Sequence, residues 1–406
     1  MRVDLLTREY PPHVYGGAGV HITELAKVLK EHAEVHVHAF DGARADDGAD
    51  VKVHGYDDVA ELADADATLQ ILGVDLQMAD KTGDADIVHS HTWYANMAGH
   101  ISKMLHGIPH VISAHSLEPL RPWKREQLGG GYEVSSWIEK TAYEGADGIV
   151  AVSNGMRDGI LKSYPNVDPD KVRVVHNGID LAEWKAPQTD EEWEKAREYF
   201  RSYGLDPDEP TIIFVGRITR QKGVPGLLRA LKYVPDEVQV ILCAGAPDTP
   251  EILEETRLLV ADLQKDRDGV VWIDEHLPHD EIVALEACST TFVTPSVYEP
   301  LGIVNLEAMA VGLPVVGTAT GGIPDVIDHG VTGTLVPIEQ KQDGTGTPLD
   351  PDKFEKDLGE ALAEMVANPE RAKEMGVAGR KRAEDHFSWE SIAVKTMEFY
   401  NDILGQ

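Results

Sequence analysis

Two carboxylates with seven residues between them form the part of the chain whose chemistry is easiest to infer. Glu299 and Glu307 enclose a segment of small and apolar residues that is typical of a loop turning into a buried helix, after an apolar strand from Thr290 to Thr294. Gly302 would open the helix, whose first free amide groups can hold an anion, and Glu307 falls about one and a half turns inside it. The pattern suits a phosphorylated sugar, although acids near a helix N-terminus are also ordinary surface residues.

A basic loop follows another predicted strand. Arg217 and Lys222 lie between Gly216 and Gly223, and in a chain this acidic they are a candidate clamp for a diphosphate. The guanidinium offers a planar fork and the ammonium a point charge, so together they would neutralise a leaving diphosphate as its charge develops. A solvated basic turn is the alternative, because Lys and Arg are mostly exposed.

Glycines also follow the first strand, where Tyr15, Gly16 and Gly17 precede a helical pattern that runs to Leu29. Glycine allows the backbone to approach a phosphate or a sugar closely. The spacing is not the Gly-x-Gly-x-x-Gly of dinucleotide-binding enzymes, so a nicotinamide dehydrogenase is disfavoured. A plain tight turn without a ligand stays open.

Histidines alternate at strand spacing in two places, at His36 and His38 and at His89 and His91. Alternation directs each pair to one face of a strand, but no cysteine or acid has recognisable zinc-ligand spacing, so pocket-lining or structural roles are favoured. Two aromatic residues that follow would stack on an acceptor sugar or pack in the core, namely Trp93 and Tyr94.

Composition excludes several classes of protein. The 406 residues carry a formal net charge of −33, which would repel nucleic acids and anionic membranes. No apolar run is long enough to span a membrane, and no signal region follows Met1, so a cytoplasmic protein is expected. The two cysteines, Cys243 and Cys288, are interpreted as buried free thiols.

Short apolar strands alternate with helical patterns from end to end, which predicts an α/β fold with parallel sheets covered on both faces. A charged, proline-containing stretch from Asp180 to Pro210 separates two such series. We therefore expect two doubly wound, Rossmann-like domains that face a cleft, 1–182 with a returning helix 388–406, and 183–387. In such sheets ligands bind beyond the carboxyl ends of the strands, where the loops described above lie.

The motifs together resemble those of the retaining glycosyltransferases of GT-B architecture. The resemblance covers essentially the whole chain and rests on the paired glutamates, the basic loop, the paired glycines, His115 and the closing Phe387-Ser388-Trp389. More narrowly, three segments resemble the actinobacterial glycogen synthase branch, which includes alpha-maltose-1-phosphate synthases: Thr7–His21, His89–Tyr94 and Ser113–Pro119.

The resemblance implies roles for individual residues in transferring glucose from a nucleotide donor, taken as ADP-glucose. Arg217 and Lys222 would hold the diphosphate, Glu299 the donor glucose and Glu307 the ribose, while His115 would contact the sugar near its sixth carbon. Backbone groups of two further segments would meet the phosphates, namely Gly16 with Gly17 and Leu301, Gly302, Ile303 and Val304. No cofactor and no metal are expected, because cations and a helix end replace a divalent ion.

The acceptor is less well defined. The chain has Val14 where ordinary bacterial glycogen synthases have a lysine, and Thr92 where they have an aspartate. The predicted function is glycogen synthase, with alpha-maltose-1-phosphate synthase acting on glucose-1-phosphate as the alternative. Residues proposed for the acceptor are Tyr15, His91, Trp93, Tyr94, Arg121, Lys124 and Arg125.

Other functions and the assembly state stay open. A nucleotide-sugar 2-epimerase would share the architecture, and a non-catalytic sensor would bind the sugar nucleotide without consuming it. The sequence does not decide between a monomer and a homodimer.

Overall fold

The computed structural model describes residues 1–44, 51–121, 124–125, 129–341, 343 and 345–405. Two compact units divide the chain. Unit 1 comprises Met1–Gly178 together with Trp389–Gln406, and unit 2 comprises Ile179–Ser388. Residues 45–50, in the acidic stretch from Asp41 to Asp66, lie outside the described residues.

Unit 1 is built on a sheet of seven strands in the order β3-β2-β1-β4-β5-β6-β7. All neighbouring pairs are parallel. The central strands are buried almost throughout, as expected for a parallel sheet covered on both faces. The strands are β1 Arg2–Thr7, β2 Glu34–Ala39, β3 Lys52–Gly55, β4 Ile87–His91, β5 His110–Ala114, β6 Gly148–Ala151 and β7 Val172–Val174.

Helices cross between these strands, and local chemistry sets several of their ends. The Asp66 carboxylate accepts a hydrogen bond from the Thr68 amide at the start of the second helix, and the Ser153 hydroxyl accepts one from the Met156 amide at the start of the fifth. Gly107 ends the third helix in the left-handed conformation. The helices are α1 Gly17–Leu29, α2 Ala67–Lys81, α3 Trp93–His106, α4 Gly130–Gly145 and α5 Asn154–Ser163.

Unit 2 contains six strands in the order β10-β9-β8-β11-β12-β13, again parallel throughout. The strands are β8 Thr211–Arg217, β9 Gln239–Gly245, β10 Val270–Ile273, β11 Thr291–Thr294, β12 Val315–Thr318 and β13 Gly333–Val336. The helices are α6 Asp190–Ser202, α7 Val224–Ala230, α8 Pro250–Asp266, α9 His279–Ala287, α10 Ile303–Val311, α11 Ile323–Val326, α12 Pro351–Ala367 and α13 Pro369–His386.

The final helix, α14 Trp389–Leu404, returns to unit 1 as predicted. Its apolar face packs in the same buried cluster as Leu5 of β1 and Ile22 of α1. The Tyr400 hydroxyl is bonded to Nδ1 of His89 at 2.6 Å, so the last helix is fixed both by apolar burial and by a buried polar contact.

The predicted fold class is confirmed, and two short strands have no clear signal in the sequence. Lys52–Gly55 is a short polar edge strand, with alternating exposed and half-buried residues. Gly333–Val336 follows a turn and is only four residues long. Neither has the apolar run that identified the central strands.

Both cysteines are free thiols, as predicted; Cys243 is buried, whereas Cys288 is only half-buried. Burial raises the pKa of Cys243 to about 12 and that of Cys288 to about 11, so neither is a reactive thiolate at neutral pH. Among the described residues, no helix combines the length and the apolar character that a membrane span requires.

Candidate active site

Lys222 and Glu299 form an ion pair at the carboxyl ends of the unit 2 strands. Lys222 Nζ lies 2.7 Å from Glu299 Oε2, and Ser296 Oγ donates to the same oxygen at 3.1 Å. The lysine is 17% exposed and the glutamate 8%, so the pair is screened little by solvent. The structure thus brings a predicted diphosphate ligand and a predicted sugar ligand together.

Glycines allow the loops around this ion pair to pack closely against one another. Gly223 has a φ of +67°, and a side chain there would overlap the carbonyl oxygen of Pro295. Gly321, with a φ of +55°, leaves no room for a Cβ beside the Glu299 backbone. The Gly322 amide also donates to the Glu299 carbonyl at 2.8 Å. The Gly321-Gly322 pair therefore supports the Glu299 backbone in this structure.

The helix after Glu299 starts where the sequence predicts. Gly302 precedes α10 with a φ of +91°, Gly312 follows it with a φ of +93°, and among the described residues no side chain caps its N-terminus. The amides of Leu301, Gly302, Ile303 and Val304 are therefore at the end of the helix that attracts anions.

Glu307 lies inside α10 and is half-buried, next to a fully buried acid. Burial raises the pKa of Glu307 to about 7, and the nearby Lys222 acts in the opposite direction. Glu286 is 1% exposed, and its pKa is raised by burial and then by repulsion from Glu307. Glu307 is thus poised to gain or lose a proton near neutral pH.

Arg217 differs from Lys222 in its surroundings. Its side chain is 62% exposed, and Nη1 is 3.7 Å from Asp248 Oδ1. An exposed pair of this kind contributes little to stability, so the guanidinium is available for an anion.

In unit 1, the glycine loop is held by a residue that the sequence analysis did not single out. Glu9 Oε2 accepts hydrogen bonds from the amides of Tyr15, at 2.8 Å, and Gly16, at 2.7 Å. The Tyr15 hydroxyl donates to Asp41 at 2.9 Å. Because the Gly16 amide already has an anionic acceptor, a phosphate would reach that amide only by replacing Glu9. Gly17 is the first residue of α1.

Four histidines meet at the carboxyl ends of β4 and β5. His91 Nδ1 is 3.0 Å from His115 Nε2, and the His21 ring centroid is 4.7 Å from that of His115. His89 lies against His91, with centroids 4.3 Å apart. Burial lowers the pKa of His115 to about 4 and that of His89 to about 3, so the rings are neutral at pH 7.

Other predicted acceptor residues are placed differently. Trp93 is buried in a hydrophobic cluster of unit 1 and stacks on Tyr94, with ring centroids 4.2 Å apart. Core packing therefore explains Trp93 without a sugar, while Tyr94 carries the Arg8 guanidinium over its ring at 4.5 Å.

The three cations proposed for the acceptor form a basic cluster, Arg121, Lys124 and Arg125, that is only partly assembled. Arg121 Nη1 donates to Ser116 Oγ at 2.5 Å, and Lys124 Nζ is 3.4 Å from the buried Glu118 carboxylate. Burial and then repulsion from Arg121 lower the pKa of Lys124, so an anion between the two cations would be stabilised. Arg125 instead pairs with Glu133 on the surface, where both side chains are about two-thirds exposed.

Family models match most of the chain in two parts. Residues 15–183 match the model for Glycosyltransferase Family 4, and residues 195–382 match that for glycosyl transferases group 1. The first match covers the histidine cluster and the second covers the Lys222–Glu299 pair.

Whole-chain relatives agree with these matches. An alpha-maltose-1-phosphate synthase of Mycolicibacterium smegmatis is 50% identical over 405 residues, covering 99% of this chain and 100% of the relative. The Mycobacterium tuberculosis protein of the same name is 46% identical, over the full length of both chains. The chain therefore belongs to this family of nucleotide-sugar-dependent GT-B glycosyltransferases.

Solved structures show the same fold at low identity. Sucrose-phosphate synthase from Thermosynechococcus elongatus aligns with a TM-score of 0.75 at 21% identity, covering 100% of this chain and 99% of that one. The catalytic domain of starch synthase IV from Arabidopsis thaliana aligns with a TM-score of 0.71 at 17% identity, covering 100% and 99%.

The expectation of a glycogen synthase is wrong. The relatives that share about half of their residues with this chain, over their full length, are named alpha-maltose-1-phosphate synthases. The motifs that resemble the branch do not separate its two activities, because the branch includes both.

Proposed function

We propose that the protein transfers glucose from ADP-glucose to glucose-1-phosphate, with retention of the alpha configuration, and forms alpha-maltose-1-phosphate. The observation that carries this proposal is the 50% identity, over 99% of the chain, to a protein of that name. The site is compatible with it, because cations and free helix amides are available for phosphate groups at the ends of both sheets.

In this proposal the donor is bound by unit 2. Arg217, Lys222 and the amides at the start of α10 hold the diphosphate, Glu299 holds the glucose, and Glu307 accepts hydrogen bonds from the ribose. A bound diphosphate competes with Glu299 for Lys222, whose ammonium is already within 2.7 Å of that carboxylate. No metal is needed, because fixed cations and amides neutralise the leaving group.

Retention is explained by a reaction on one face of the sugar. The bond between the anomeric carbon and ADP breaks, an oxocarbenium-like centre forms, and the 4-hydroxyl of the acceptor attacks from the side of the leaving group. Its proton passes to a phosphate oxygen of the departing ADP. Electrostatic stabilisation of ADP then supplies most of the rate enhancement.

The acceptor phosphate is assigned to Arg121 and Lys124 in this proposal. Both are half-buried, and charge-assisted hydrogen bonds to a phosphate are strongest in such partly desolvated places. His115 contacts the transferred sugar, as a neutral ring that donates or accepts a hydrogen bond. Arg125 is not needed, because it is exposed and already paired with Glu133.

The test is release of ADP from ADP-glucose by the purified protein, with glucose-1-phosphate or glycogen as acceptor and the product identified by mass. We expect a phosphorylated disaccharide and little transfer to glycogen. A parallel reaction with UDP-glucose tests the base preference. Release of ADP with glycogen alone would overturn the proposal, and consumption of the donor without any acceptor product would indicate a hydrolase.

A further inference from the structure

We infer that His21, His91 and His115 form a binding site for a four-coordinate transition metal of the zinc type, whose occupation blocks the reaction. Each of the three rings offers a nitrogen, and these nitrogens all lie within 4.8 Å of one another. No cysteine or acid among the described residues joins the group. Three histidine ligands with an open fourth position are an established arrangement for zinc.

The distances suit the metal after a small movement of the rings. Zinc–nitrogen bonds are about 2.0–2.1 Å long, so two ligand nitrogens of a tetrahedral site are about 3.3 Å apart. His91 Nδ1 and His115 Nε2 are 3.0 Å apart, close to that separation. His21 approaches His115 edge to face, with centroids 4.7 Å apart, and a side-chain rotation would bring its nitrogen in.

The unpartnered state of His21 is a second observation that points to a ligand. His21 is 4% exposed, and among the described residues neither of its ring nitrogens makes a hydrogen bond of good geometry, although the Asn177 side chain lies close enough to interact with the ring. Leaving such a buried polar group unpaired is unfavourable, and a metal ion would satisfy it.

A metal binds neutral imidazole through one ring nitrogen, while the other nitrogen keeps the proton. His91 Nε2 has no partner among the described residues either and can hold the ring proton when Nδ1 binds the metal. His115 is partly exposed, which gives the ion a route of entry.

A second histidine group in unit 1 lacks these properties and serves as a control. His54 Nε2 is 3.1 Å from His36 Nδ1, and His36 in turn contacts Glu34 at 3.0 Å. His38 is bonded to Asp4 and Tyr56. Because these rings already have partners, His54→Asn should leave metal binding unchanged.

The first experiment is calorimetric titration of the chelator-treated full chain with Zn²⁺, together with the visible absorption of bound Co²⁺, which reports four-coordinate geometry. We expect one ion per chain at micromolar metal. His21→Asn should weaken binding at least about tenfold, since even loss of outer-shell support weakens metal sites about 10–100-fold. His115→Asn, at a partly exposed position, gives the same test if the His21 variant does not fold.

Inhibition is measured separately, as ADP release with increasing Zn²⁺ and its recovery with a chelator. The inhibition measurement rests on the proposed function, because it assumes that a metal on His115 keeps that ring from contacting the sugar. The calorimetric measurement does not rest on the proposed function. If the purified protein releases no ADP, the proposed function fails while zinc binding is still tested. Absence of tight binding by the wild type, or wild-type affinity in both histidine variants, would overturn the inference.

Discussion

Lys222 Nζ lies 2.7 Å from Glu299 Oε2, and both side chains are largely buried. The carboxylate is also bonded to Ser296, so its position is fixed by two partners on different loops. Removal of either charge leaves the other without its partner in a partly desolvated place. This lowers stability more than the loss of a surface pair does.

Lys222→Ala is therefore expected to lower kcat by about 100-fold or more at saturating ADP-glucose, the scale of removing one group that stabilises the transition state. Lys353→Ala is a matched control, because that lysine makes an exposed pair with Asp357 on α12 of the same unit. The measurement is the initial rate of ADP release by the wild type and the two variants. Near-normal turnover of Lys222→Ala would remove the lysine from the diphosphate clamp.

Glu307→Gln should change stability in a way that depends on pH. The pKa of Glu307 is about 7 because of burial, whereas in the unfolded chain it is near its ordinary value of about 4.3. The folded state therefore holds the proton more tightly between these values, and stability is lost as pH rises from about 4.5 to 7. The loss amounts to a few kcal/mol at most, because a difference of one pKa unit between the folded and unfolded chain corresponds to about 1.4 kcal/mol.

The measurement is the free energy of unfolding by urea at pH 5 and at pH 8, without ligand. Glutamine cannot ionise, so Glu307→Gln should gain stability relative to the wild type at pH 8 and much less at pH 5. It should also bind ADP-glucose more weakly if Glu307 holds the ribose. Glu374→Gln, at a side chain that is 71% exposed, is the control, and equal effects of pH on all three proteins would contradict the assignment.

Acid should destabilise unit 1 through its buried histidines. His21, His89, His91, His110 and His115 all have pKa values lowered by burial. In the unfolded chain these rings take up protons below about pH 6.5. Their stabilising contribution is therefore complete above pH 6.5 and is lost progressively as pH falls toward 4.

Urea unfolding at several pH values between 7 and 4.5 measures this loss as a slope. Each histidine that stays neutral when folded adds at most about 1.4 kcal/mol per pH unit. His110→Asn should reduce the slope, whatever its effect on absolute stability, and the exposed His32→Asn should not. A slope that is the same in all three proteins would show that the buried rings are not responsible.

The sequence predicted the fold because the central strands are continuous apolar runs, such as those around Leu5 and Ile213, and because Gly302 and Gly312 mark the ends of one helix. It did not identify Glu9 or Ser296, since their importance depends on which loop amide or carboxylate they meet in three dimensions. His21 was also overlooked, because it lies far in sequence from His91, at the end of β4, and from His115, which follows β5. Residue type and spacing indicate local structure, but contacts between loops depend on the topology of the sheet.

Arg121→Ala tests the acceptor site by its dependence on the phosphate. If Arg121 binds the phosphate of glucose-1-phosphate, the variant should lose about 10–150-fold in kcat/KM for that acceptor, corresponding to about 1.5–3 kcal/mol for a charged hydrogen bond. Transfer to glucose, which has no phosphate, should change little. Lys140→Ala on α4 removes an exposed cation and controls for the general charge of the unit.

The ratio of kcat/KM for glucose-1-phosphate to that for glucose is the decisive readout, because a folding defect lowers both rates and leaves the ratio unchanged. Lys124→Ala should lower the ratio too, but by less, since its ammonium is shared with Glu118 at 3.4 Å. Arg125→Ala should leave the ratio near that of the wild type, because its guanidinium is exposed and pairs with Glu133. If the ratio fell for Arg125→Ala alone, the acceptor phosphate would have to bind at the exposed Arg125 and not between Arg121 and Lys124.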